Sequence, residues 1–112
     1  MKKLIFAVTL MLAAGAGAQA QNVIGNAAAG KSDVFMCEGC HNSSGYRVAF
    51  PEVYRVPMLN GQNAGYIEQA LKEYRSGARR NATMRAIASS LTDQEIADIA
   101  AYYSQPRAGS AQ

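Results

Sequence analysis

The chain has 112 residues, with eleven Lys plus Arg against eight Asp plus Glu, a single histidine and two cysteines. That length supports one small core, and the sequence shows neither a carboxylate pair nor a Ser/His arrangement of the kind hydrolases use. The formal charge of +3 includes two lysines near the N-terminus, and no RNA or DNA motif accompanies it, so nucleic-acid binding is a poor reading.

Lys2 and Lys3 precede an apolar run from Leu4 to Ala14, and small residues then lead to Ala18-Gln19-Ala20. This is the layout of a secretory signal peptide over residues 1–20, with cleavage expected after Ala20 and the mature chain running from 21 to 112. The run falls well short of the roughly 20 apolar residues that cross a bilayer, so no transmembrane anchor is expected in the mature chain. Without Lys2 and Lys3, nine basic residues face eight acidic ones, a net of +1. A mature domain this small often depends on a covalent or metal staple.

Asn26 to Cys40 reads as a first helix, with Ala27, Ala28, Ala29 and Val34 as formers. Gly30 in its middle costs about 1 kcal/mol against alanine, which suits close approach of another helix. The helix closes on Cys37-Glu38-Gly39-Cys40-His41, the C-x-x-C-H pattern of covalent c-type haem attachment. Two thiols so spaced can add to the two vinyl groups of one porphyrin, and the adjoining histidine is then held against the iron. A structural zinc site would need four ligands, and two cysteines with one histidine leave it to be completed by carboxylates. A thioredoxin-like pair would want alternating strands and helices, and a disulfide across two residues would be strained.

From Asn42 to Gln62 the chain is broken by Gly45, Pro51, Pro57 and Gly61, and its aromatics Tyr46, Phe50 and Tyr54 could wall a porphyrin or simply fill core. Ile67, Ala70, Leu71 and Tyr74 recur at helical spacing, predicting an amphipathic helix over 63–76 with a Glu68/Lys72 pair on its wet side and Gly77 as left-handed cap. The loop from Ser76 to Asn81 supplies turn residues before Met84, and Met84 to Ser89 suggests a short helical turn.

An iron held on both faces needs a second axial ligand, and a thioether raises its reduction potential. Met1 and Met11 leave with the leader, and Met36 adjoins Cys37, so Met58 and Met84 remain, with Met84 favoured for the flexible loop before it. Thr92-Asp93-Gln94-Glu95 is a capping box for a last helix with the stripe Ile96, Ile99, Ala100 and Tyr103, ended by Pro106. The expected fold is all-α, with three main helices plus short helical turns around one haem and no strand.

With these residues the chain resembles a class I cytochrome c, and most a single monohaem domain of the periplasmic c-four type. The likeness rests on Cys37 to His41, Ala28-Ala29-Gly30-Lys31, Pro57-Met58-Leu59-Asn60-Gly61-Gln62, Tyr66-Ile67, Met84 with Ile87-Ala88, and Leu91 through Tyr103. It implies that Cys37 and Cys40 carry haem c, that His41 and Met84 are the iron ligands, and that the Pro57 carbonyl accepts the other ring N–H of His41. It also implies that the first and last helices cross near Gly30, with Tyr102 or Tyr103 packed there. One motif means one haem, where that type usually has two.

The expected function is therefore that of a periplasmic one-electron carrier between respiratory or dehydrogenase partners, not an enzyme. The alternative is the cytochrome subunit of a periplasmic oxidoreductase complex. Partners are expected to be redox proteins met transiently, and Arg75, Arg79, Arg80 and Arg85 around the Met84 loop could steer an acidic one or pair with haem propionates.

Overall fold

A computed structural model describes residues 22–49 and 53–106. The expected leader, Phe50 and Pro51 lie outside these residues. The elements in chain order are α1 (Ala27–Asp33), α2 (Phe35–His41), β1 (Arg47–Val48), β2 (Tyr54–Arg55), α3 (Ala64–Ser76), α4 (Ala82–Ala88) and α5 (Asp93–Tyr103).

The Asn26 side chain starts α1 by accepting from the N–H groups of Ala28 and Ala29, while its own N–H donates to the buried Asp98 carboxylate at 2.6 Å. Gln94 Nε2 donates to the same Asp98 oxygen at 2.9 Å, so this carboxylate is satisfied by neutral donors where α1 meets α5. Gly30 lies at that crossing, and a Cβ there would strike the Asp98 carbonyl and the Tyr102 Cβ. Gly25 meets Ala97 and Ala101 in the same way, a second close approach the sequence reading did not pick out.

The single first helix expected over Asn26 to Cys40 is two helices. Val34, fully buried, adopts φ −84° and ψ 3°, and interrupts the run between α1 and α2. Its carbonyl accepts from Cys37 at 2.8 Å and Glu38 at 3.0 Å, a tightened turn of the 3₁₀ kind. The motif cysteines and His41 thus ride on a separate short helix.

The expectation of no strand is also corrected. Gly45, with φ 72°, turns the chain into a small antiparallel hairpin that pairs Arg47 with Arg55 and Val48 with Tyr54. Gly61, at φ 80°, closes the following loop, and its N–H donates to the Tyr103 carbonyl at 2.8 Å.

The remaining helices follow their sequence signals. Asn63 caps α3 through the Tyr66 N–H, Gly77 ends it at φ 84°, and Lys72 lies 3.6 Å from Glu68. Thr92 and Glu95 form the reciprocal capping box of α5. Ile96 through Ala100 and Tyr103 are buried, because α5 packs on α1 along one flank and α3 along another. Arg75 at the end of α3 donates to the Leu91 carbonyl at 2.8 Å and to Asp93, clamping α3 to the start of α5. Val34, Ile67, Leu71, Ala88, Ile96, Ile99, Ala100 and Tyr103 form the core cluster.

Gly30→Ala should cost roughly 2–3 kcal/mol by overpacking the α1–α5 crossing, more than the about 1 kcal/mol that Thr92→Ala loses with its cap. Denaturant midpoints of the two variants check the order; equal midpoints would contradict the close approach.

Candidate functional site

One apolar cavity, with about 1020 Å³ of space opening to solvent, collects most of the residues singled out by sequence. Cys37, Cys40 and His41 enter it from α2, Pro57 and Leu59 from the loop, Ile67 and Leu71 from α3, and Met84 from α4. Val48 and Tyr54 of the hairpin line it as well.

His41 is 8% exposed, and its Nδ1 lies 2.7 Å from the Pro57 carbonyl oxygen. A carbonyl can only accept, so Nδ1 carries the proton and the lone pair is left on Nε2. That is the form in which an imidazole binds a metal, with tautomer and ring orientation fixed by the outer bond.

Cys37 and Cys40 are unbonded thiols in the half-buried range. Burial, then the charge of Glu38 and then Cys40, pushes the Cys37 thiol up to about 11. A redox dithiol needs the opposite, a depressed thiol pKa, so the environment does not suit thioredoxin-like exchange. Among the described residues no group of three His, Cys, Asp or Glu side chains is placed to hold a metal ion.

Met84 is a cavity residue, and Asn81 aims it there by capping α4 through the Met84 N–H at 2.9 Å. Met58 is 39% exposed and does not line the cavity, although its neighbour Pro57 does. The two methionines left open by sequence are therefore separated by position. Asn81 was missed as a cap, although Asn three residues before Met84 is a recognisable start signal.

The four arginines near Met84 have different fates. Arg75 is engaged with Leu91 and Asp93, away from the cavity. Arg79 lines it, donating Nη2 to the Tyr66 hydroxyl at 3.2 Å with its guanidinium 5.0 Å from the Tyr74 ring centroid and 5.8 Å from that of Tyr66. Arg80 and Arg85 are exposed and outside the wall.

An apolar cavity presenting two thiols two residues apart, an imidazole with its lone pair on Nε2 and two thioethers, Met36 beside Cys37 on α2 and Met84 on α4, fits a flat metalloporphyrin. His41 of α2 and Met84 of α4 both line this cavity.

Comparison with known proteins gives the same direction. A family model described as cytochrome c matches residues 25–105. Cytochrome c-554(548) of Halomonas halodenitrificans is 45% identical over 83 residues, spanning 71% of this chain and 95% of that protein. Cytochrome c4 of Pseudomonas aeruginosa is 33% identical over 96% of this chain but only 50% of its own length. The solved cytochrome c4 of Acidithiobacillus ferrooxidans superposes with a TM-score of 0.59 at 31% identity, over 77% of this chain and 53% of that one. The chain thus spans about half the length of its cytochrome c4 relatives.

If the Pro57 bond sets the tautomer, nitrogen NMR of His41 should show a protonated Nδ1 whose hydrogen exchanges slowly with solvent. A proton on Nε2 instead would contradict the assignment.

Proposed function

We propose that this chain, which belongs to the cytochrome c family, is an exported carrier that passes single electrons between redox proteins of the periplasm. The family supplies the coarser part: the chain carries covalently bound haem c and is an electron-transfer protein rather than an enzyme. Bound haem supplies a one-electron iron couple, and the protein's part is to hold it, set its potential and keep water from it.

In this reading Cys37 and Cys40 carry the haem through thioether bonds, and His41 Nε2 and the Met84 thioether are the axial ligands. The Pro57 carbonyl orients His41. The observation that carries the reading is the convergence of these four side chains on one apolar cavity, with the lone pair of His41 left on Nε2. Ile67, Leu71 and Ile99 belong both to the core cluster and to the cavity wall, so the site is dry on that side and its polarity changes little with the iron's charge. That favours a small reorganisation on electron transfer.

The leader pattern over residues 1–20 supports export and a cytochrome domain over 21–112. No helix among the described residues is long and apolar enough to cross a membrane. As partners we propose redox proteins met transiently, of the respiratory or dehydrogenase kind. A relative from Stutzerimonas stutzeri, 38% identical over 65 residues, is named a thiosulfate dehydrogenase electron acceptor. The second reading, a fixed cytochrome subunit of an oxidoreductase complex, is favoured by one from Chlorobaculum tepidum, 33% identical over 67 residues and named a cytochrome subunit of sulfide dehydrogenase.

Visible absorption tests the ligand set. The ferric protein should show a methionine–iron charge-transfer band that Met84→Ala abolishes and Met58→Ala keeps; the reverse pattern would overturn Met84. Purified alone, the protein should exchange electrons rapidly with added redox proteins. Rapid exchange only in a stoichiometric complex would move the reading to the subunit.

A further inference from the structure

We propose that the outer face of the β1–β2 hairpin is the surface on which an acidic redox protein docks, with Arg47 and Arg55 receiving its carboxylates. The proposal rests on the electron-carrier reading above and gives the partner its chemistry. These arginines are separate from those around the Met84 loop, where Arg75 is engaged with Asp93 and Arg79 is held against Tyr66.

The strand register places them. Arg47 pairs with Arg55 and Val48 with Tyr54, and successive side chains on a strand point to opposite faces. Val48, Tyr54 and Val56 line the cavity whereas Arg47 and Arg55 do not, so the arginines turn to the outside of the same two strands. Both are exposed, as are Ala49 and Val53, which share their face by the same alternation; Val53 is 72% exposed. A partner seated there is separated from the cavity only by the thickness of the hairpin.

Two guanidiniums directly opposite each other on paired strands repel, and like charges so placed weaken a hairpin. The ion pairs among the described residues are Lys72 with Glu68 and Arg75 with Asp93, and neither relieves Arg47 or Arg55. Anions brought against the two forks would turn that repulsion into attraction. A carboxylate matches a guanidinium fork in both charge and shape, and a protein surface offers several at once. Because the electron must pass to another protein, the occupant is a protein and not a lipid surface. Two cations beside an exposed valine also suit a small interface, since attraction between opposite charges speeds encounter without the large buried area that would slow release.

The test uses haem-loaded protein in three forms: wild type, the hairpin double variant Arg47→Gln/Arg55→Gln, and Arg80→Gln/Arg85→Gln as a second exposed basic surface. Ferrous protein is mixed with ferricyanide, an anion that takes one electron and becomes ferrocyanide as the iron becomes ferric. It is mixed separately with the tris(phenanthroline)cobalt(III) cation, which takes one electron to become cobalt(II). The hairpin variant should reduce ferricyanide several-fold more slowly than wild type and with a weaker salt dependence, and the cobalt complex no more slowly. Its reduction potential should be unchanged, and with the repulsion gone it should melt no lower than wild type. Hexaglutamate should slow the wild-type reaction with ferricyanide and leave that of the hairpin variant alone. An unchanged ferricyanide rate in the hairpin variant, or an equal loss in Arg80→Gln/Arg85→Gln, would overturn the proposal. A shifted potential or a lower melting temperature would do the same by giving the arginines a cofactor or structural role. Binding to phosphatidylglycerol vesicles without any response to hexaglutamate would reject a protein as the occupant. Wild-type protein that exchanges electrons with neither reagent would instead sink the carrier reading.

Discussion

Closure of the chain on itself at the α1–α5 crossing is the constraint on which the rest depends. Residues 25–30 and 97–102 lie at opposite ends of the described chain, yet Gly25 and Gly30 leave no room for a side chain between them and α5. Asp98 makes the contact specific, because its carboxylate takes the Asn26 N–H that starts α1 and the Gln94 amide from its own helix. A larger residue at either glycine would push the helices apart and widen the ring of elements between them. Gly61, donating to the Tyr103 carbonyl, ties the intervening loop to the same helix.

This closure matters because the core is too small to be independent of the site. Ile67, Leu71 and Ile99 serve the core cluster and the cavity wall at once, and Cys37, Leu59, Tyr74 and Met84 pack against the cluster from the cavity side. Filling the cavity with a covalently held apolar group therefore adds to the hydrophobic interior that a chain of this length otherwise lacks. Stability and cofactor retention become one property, which explains a design in which the group is tethered near one end of the chain and enclosed by the remainder.

Much of this was legible because the signals were local. The C-x-x-C-H spacing, the helical stripes of α3 and α5, the Gly77 cap and the Thr92/Glu95 box each depend on residues within a turn or two of one another, and each appears where its pattern placed it. The break at Val34 was not read, although the alanines end at Ala29 and Gly30, Ser32, Asp33 and Val34 are weak helix formers. At the break Val34 is fully buried in the core cluster. The two-residue strands of the hairpin are equally invisible, being too short to show alternation. Tyr66 and Arg79, thirteen residues apart, meet through the folding back of a loop that no local pattern specifies.

The two methionines show how far composition reasoning carries and where geometry takes over. Both follow the haem motif and both are apolar enough for a wall, so chain length and turn residues could only favour Met84. What separates them is how each backbone is held. Pro57 turns its carbonyl onto His41 Nδ1, which commits that segment to the imidazole and leaves Met58 facing outward. Asn81 captures the Met84 N–H and starts a helix whose first turn faces the cavity. On the proposed ligand set, one hydrogen bond on each segment divides the labour, the first preparing a nitrogen donor and the second presenting a sulfur.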